Sequence, residues 1–201
     1  MIPSELLREL VLSLHDIGAV RLGQFKLHSG RISPIYLDLR MLVSYPDILR
    51  LATAVYRELL TPLQFDRIAA APMAGLPLGT AVALDMNIPL IYPRKTAKSY
   101  GTGKSIEGEW QVGETAVIID DLITSGDSLL QAIATLKAAG LHIHDAVVLI
   151  DREQGGRQNL HELGYTLHTA LTLTHLLTIL EEENRITPAQ RLKIVQALQN
   201  E

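Results

Sequence analysis

The stretch Ala116-Val117-Ile118-Ile119-Asp120-Asp121-Leu122-Ile123-Thr124-Ser125-Gly126-Asp127-Ser128 decides the fold. An apolar run closes in two acids, and a turn of hydroxyls and glycine then feeds a segment with helical spacing. A strand without polar alternation is buried on both faces, so it belongs in a parallel sheet covered by helices. Its acids emerge at the carboxyl end, where open sheets of this kind hold their ligands. There the two carboxylates can accept hydrogen bonds from a pair of ribose hydroxyls. The turn adds backbone N–H groups, three hydroxyls and a helix N-terminus, which together make a nest for a phosphate. Two acids and a Ser/Thr/Gly turn could also do no more than cap a helix. No Gly-Lys-Ser/Thr follows the strand, which speaks against a P-loop.

Outward from this stretch, apolar strands and helices alternate. Residues 67–71, 89–92, 115–119, 145–150 and 165–170 read as strands; 75–86 and 128–139 read as helices, with a helical turn at 160–163. Before them, Leu6, Leu7, Leu10, Val11 and Leu14 recur at helical spacing over 4–17, with Ser4 placed as N-cap. Residues 20–39 alternate apolar and polar side chains around a polar turn, as an edge hairpin does. Pro46 opens a helix to about residue 60, and two further helices, about 174–183 and 187–199, close the chain. The expectation is one α/β domain over 1–201: a central, mostly parallel sheet with helices on both faces, and a small hood over about residues 1–40.

Residues 94–110 stand apart. They hold four cations (Arg94, Lys95, Lys98 and Lys104) and three glycines, with few apolar side chains. A loop this long in a compact domain is usually functional or disordered, and this one reads as a mobile flap that orders over an anion.

Composition narrows the partners. The 201 residues carry a net charge of −4, so no global basic field collects nucleic acid. There is no cysteine, which excludes disulfides, thiolate catalysis and Cys-ligated zinc and fits a reducing cytosol. The N-terminus lacks the apolar stretch of a signal peptide, and no run of about 18 apolar residues occurs, so no membrane span is expected and the reading is cytoplasmic. The histidines are too scattered for a metal site.

Residues 117–128 resemble the signature with which type I phosphoribosyltransferases bind 5-phosphoribosyl 1-diphosphate (PRPP). Four other segments sharpen the likeness: 25–36 (Phe-Lys-Leu-His-Ser-Gly-Arg-Ile-Ser-Pro-Ile-Tyr), 71–78 (Ala-Pro-Met-Ala-Gly-Leu-Pro-Leu), 94–98 (Arg-Lys-Thr-Ala-Lys) and 149–156 (Leu-Ile-Asp-Arg-Glu-Gln-Gly-Gly). Their order and spacing are similar to those of orotate phosphoribosyltransferases, especially the transferase half of bifunctional UMP synthases. The resemblance covers nearly the whole chain and implies the type I phosphoribosyltransferase fold, with PRPP and orotate as substrates and Mg²⁺ as cofactor. The metal would be held mainly by PRPP, with Asp120 and Asp121 in support. It further implies a homodimer with shared active sites, in which Arg94, Lys95 and Lys98 grip the diphosphate and Tyr100 stands where the family has His or Tyr. Leu122, Ile123, Thr124, Ser125, Gly126, Asp127 and Ser128 would cradle the 5′-phosphate beside Asp120 and Asp121. Arg152 would face the orotate carboxylate, a pairing a guanidinium can make bidentately, and Ile35 and Tyr36 would lie beside the base.

The chain departs from that pattern at His28, where the family usually has a lysine. Lys26, two residues earlier, falls on the same face of a strand and can partly substitute. This departure bears on the base more than on PRPP. A phosphoribosyltransferase for another base, and a PRPP-binding regulator without efficient catalysis, therefore stand as alternatives.

Overall fold

The computed structural model describes residues 2–26, 30, 32–94 and 105–198; His28, Lys95, Lys98 and Tyr100 lie outside them. The apolar runs form the strands β3 (Arg67–Ala70), β4 (Leu90–Pro93), β6 (Thr115–Ile123), β7 (His142–Asp151) and β8 (Thr166–Thr172), and a two-residue β5 (Ile106–Glu107) joins them. The sheet order is β5-β4-β3-β6-β7-β8, parallel except for the antiparallel β4–β5 pair. Consecutive residues of the central strands serve opposite faces. Val117, Ile119, Val147 and Leu149 join one core, while Ala116, Ile118, Ala146 and Val148 join the other.

Helices α2 (Pro46–Leu60), α3 (Gly75–Met86) and α6 (Leu173–Glu182) supply the first core, with Leu10 and Leu14 of α1 (Ser4–Asp16) and Ile194 of α7 (Pro188–Leu198). Helix α4 (Asp127–Ala138) and Leu160 of α5 (Gly156–Glu162) supply the second. The hood is a separate antiparallel pair, β1 (Val20–Lys26) with β2 (Ile32–Leu37), followed by a 3₁₀ helix at Leu39–Ser44. Among the described residues no helix is long and apolar enough to cross a membrane.

The structure corrects several boundaries. Pro3, not Ser4, occupies the N-cap of α1, and no side chain caps that end. Strand β6 does not stop at Ile119 but carries Asp120 and Asp121 within it, because the parallel ladder to β7 continues to Ile123 and Asp151. Strand β7 starts three residues early, at His142, and α5 starts at Gly156. The polar stretch 94–110 is tied down at its second end: Ile106 is fully buried, β5 pairs with Tyr92 and Pro93, and the Trp110 indole N–H donates to the Ala139 carbonyl. One buried isoleucine and one indole suffice to anchor a segment whose other residues are polar.

Candidate active site

Strand order reverses between β3 and β6: the chain passes from β3 to β4 on one side, and β6 continues the sheet on the other. Crevices open at such switch points, beyond the carboxyl ends of the strands. Here a cleft of about 320 Å³ opens, lined by Pro72, Met73 and Ala74 after β3 and by residues 120–129 after and within β6. Sequence reasoning foresaw the second wall and missed the first. Its signal was present in the Pro-Met-Ala-Gly turn between a strand and a helix.

Asp120 sits at the floor, 8% exposed. Its Oδ1 accepts the Asp121 N–H at 2.9 Å, and Asp121 Oδ1 accepts the Leu122 N–H at 2.8 Å. The fully buried Tyr56 of α2 donates its hydroxyl to the Asp120 backbone carbonyl, fixing the strand from below. Gly75 closes the other side. A Cβ there would lie 2.7 Å from the Ile119 carbonyl oxygen and 3.2 Å from Asp120 Oδ1, so only glycine lets α3 start this close. Burial, with the neighbouring Asp121 charge adding to it, pushes the Asp120 carboxyl up to about 8, and burial raises Asp121 as well. Two carboxylates in one half-closed site favour a ligand that brings hydroxyl donors or a cation.

Beyond the acids, Thr124, Ser125 and Gly126 turn the chain into α4. Gly126 is at φ +89°, a conformation L side chains rarely adopt, and a Cβ on it would lie 2.7 Å from Leu160 Cδ1. The Ser125 hydroxyl donates to Asp127 Oδ2 at 2.8 Å. Thr124, Ser125, Gly126, Asp127 and Ser128 therefore meet at the start of a twelve-residue helix, and both the dipole and the free N–H groups of such an end favour an anion. Ile123, 2% exposed, turns its side chain into the core and offers the cleft main chain only.

The remaining described candidates lie outside the residues that line this cleft. Arg94 lines an adjoining cleft of about 540 Å³ that shares Pro72 and Ser128 with the first, and its guanidinium donates to Glu107 Oε1 at 2.6 Å. Arg152 follows β7 directly, and its N–H donates to the Ile123 carbonyl at 3.0 Å, which brings it beside the turn. Glu153 Oε2 accepts the Thr174 N–H at 2.7 Å. In the hood, Tyr36 packs on Phe25 with ring centroids 5.4 Å apart, and Arg21 lies over it at 5.1 Å. Ile35 is fully buried, so its side chain belongs to the core and only its main chain can face a ligand. Lys26 is exposed at the end of β1.

Arg40, which the sequence reading passed over, joins hood to floor. It donates to Asp38 through two nitrogens, at 2.6 and 2.9 Å, and to the Tyr36 hydroxyl at 3.2 Å. Its charge also favours the ionised form of Asp121. Among the described residues no group of three or more His, Asp or Glu could hold a metal.

A model of the phosphoribosyl transferase domain matches residues 43–162. The chain is 36% identical over 185 residues to an orotate phosphoribosyltransferase of Caenorhabditis elegans, covering 91% of this chain and 82% of that one. It is 42% identical over 183 residues to the uridine 5′-monophosphate synthase of Bos taurus, covering 90% of this chain but 38% of the relative. Among solved structures, Leishmania donovani UMP synthase superposes at TM-score 0.88 with 43% identity, covering 96% of this chain and 42% of that one. Orotate phosphoribosyltransferase from Aeropyrum pernix superposes at 0.77 with 32% identity, covering 89% and 99%. The chain thus spans about two fifths of its bifunctional relatives, and 82% and 99% of the two single-function ones. A match across most of the sequence places the chain in the orotate phosphoribosyltransferase family, with the type I phosphoribosyltransferase fold.

Proposed function

We propose that this chain transfers the 5-phosphoribosyl group of PRPP to N1 of orotate, giving orotidine 5′-monophosphate and diphosphate, a step of pyrimidine biosynthesis. The observation that carries this reading is the cleft in which the Asp120–Asp121 pair meets the anion-favouring turn 124–128, with the Arg152 main chain hydrogen-bonded to the Ile123 carbonyl behind that turn. The 5′-phosphate sits in the turn, and the two acids take the ribose hydroxyls. Arg152 pairs with the orotate carboxylate, while Tyr36 flanks the base.

The base attacks C1 of the ribose as the bond to diphosphate breaks, through a transition state with cationic character on the sugar. No protein nucleophile is needed; the residues position the partners and stabilise charge. Asp120 and Asp121 would support a Mg²⁺ held mainly by the donor, and such an ion would supply charge neutralisation at the leaving diphosphate. Arg94 exchanges Glu107 for a diphosphate oxygen, and Lys95 and Lys98 add their charges, with Tyr100 beside them. His28 and Lys26 contribute on the base side. A homodimer with shared active sites, in the cytoplasm, completes the proposal.

The test is consumption of orotate with PRPP and Mg²⁺, followed spectrophotometrically beside uracil, hypoxanthine and adenine. Turnover of orotate alone supports the reading. Turnover of another base keeps the donor site and overturns the role given to Arg152. Tight PRPP binding without turnover of any base makes the chain a binder rather than an enzyme.

A further inference from the structure

The turn that lines the donor cleft is gripped from behind by the segment after β7. Three successive carbonyl oxygens accept hydrogen bonds from it: Ile123 from the Arg152 N–H at 3.0 Å, Thr124 from the Gly156 N–H at 2.8 Å, and Ser125 from Asn159 Nδ2 at 2.9 Å. In a trans peptide the C=O and the following N–H point to opposite sides. Holding these three carbonyls against residues 152–159 therefore turns the N–H groups of Thr124, Ser125 and Gly126 away from that segment, on the side where the same residues line the cleft.

Two of the three grips are main chain. The close approach they need is possible because residue 156 is glycine: a Cβ there would lie 2.5 Å from the Thr124 carbonyl oxygen and 2.6 Å from Ile123 Cγ1. The third grip is a side chain. Asn159 is exposed on α5, and its own N–H donates to Gly155, so its backbone is fixed independently of the contact it makes.

We propose that Asn159 is a positioning residue for the anion-binding turn: its amide holds the Ser125–Gly126 peptide with the N–H aimed at the cleft, and so sets the affinity for the phosphate monoester of the donor. The proposal rests on the functional reading above for the identity of that ligand. The geometry also joins the two halves of the site, because the segment that holds the turn begins at Arg152.

Asn159→Ala and Asn159→Leu test this without touching the core. Both replacements favour a helix at least as well as asparagine, so the melting temperature should not fall. Calorimetric titration with ribose 5-phosphate should show Kd raised about three- to tenfold, the range for one lost hydrogen bond. In turnover, KM for PRPP should rise by the same factor with kcat and KM for the base unchanged. An unchanged Kd for ribose 5-phosphate in both variants overturns the proposal. So does a lowered melting temperature with a fall in kcat and no change in Kd, which is the signature of general loosening. If the unsubstituted chain fails to bind ribose 5-phosphate, the functional reading falls and this proposal with it; binding that is insensitive to Asn159 sinks the proposal alone.

Discussion

The floor of the cleft and the hood are built in different ways. The acid pair, which the reading above gives to the donor, is held by main chain and core: Asp120 is fixed by its place in β6, by the buried Tyr56 hydroxyl and by the backbone of α3 at Gly75. In the hood the groups hold one another at the surface. Tyr36 and Phe25 stack, Arg21 lies over both rings, and Arg40 bridges Asp38 and Tyr36 from a side chain 64% exposed. Groups held by main chain and core arrive preorganised, and preorganised donors stabilise developing charge most strongly. Surface contacts of exposed ions add little rigidity. The acid floor is therefore expected to be less tolerant of change than the hood.

The sharpest way to break this contrast is Gly75→Ala. The added Cβ meets backbone rather than a flexible side chain, so β6 or α3 has to shift. Overpacking of this kind destabilises by about 1–3 kcal/mol, and because the displaced atoms belong to Asp120, kcat/KM should fall at least about tenfold. Denaturant melts and turnover measured together check it. Full activity in a stable Gly75→Ala protein would show that the floor is not rigid.

Next in size is the pH response of Asp120. Its carboxyl titrates higher in the folded protein, up to about 8 from the ordinary 3.8, so the folded state holds a proton that the unfolded chain has released. With more protons on the folded state, stability falls as pH rises between those two values. The melting temperature should therefore drop by roughly 5 °C or more from pH 4.5 to pH 8.5, over and above the other titrations, and Asp120→Asn should remove that part. A pH profile identical in the two proteins rules out the buried, charge-strained floor.

Smaller still is Tyr56→Phe. It keeps the packing of the ring and leaves the Asp120 carbonyl without its buried partner, which costs about 1–2 kcal/mol. Chemical denaturation reads the loss directly. A variant as stable as the parent would mean that this hydrogen bond does not anchor the strand.

This contrast also decides what the sequence could tell. The central strands and the helices around them were legible because buried parallel strands are unbroken apolar runs and their covering helices keep a 3.6 period. Main-chain ladders carry no such mark. Asp120 and Asp121 close an apolar run yet stay in β6, His142 and His144 lengthen β7, and the two-residue β5 shows only as Ile106. The 3₁₀ helix Leu39–Ser44 is too short to display a period. In the site, the acids and the turn were legible as a motif of residue types. Tyr56 and Asn159 were not, since each acts across a long gap in the chain through one contact, and nothing local distinguishes a tyrosine that will bury its hydroxyl on a distant carbonyl. Arg40 lay within reach: an Asp-Leu-Arg after a strand, its arginine four residues past a tyrosine expected beside the base, invites the pairing seen here.

Arg40 also supplies the smallest expected effect. Arg40→Gln removes the Asp38 ion pair, the bond to the Tyr36 hydroxyl and a positive charge acting on Asp121. As an exposed pair it contributes at most about 1 kcal/mol to folding, so the melting temperature should barely move. Tyr36 loses its polar anchor but keeps the stack on Phe25, so KM for the base should rise only a few-fold while the affinity for ribose 5-phosphate, set in the cleft, stays unchanged. A loss of activity as large as that of Gly75→Ala would erase the distinction between floor and hood, because a surface guanidinium would then be as indispensable as the buried floor. A change confined to the base would sharpen it, assigning the rigid floor to the donor and the pliant hood to the choice of acceptor.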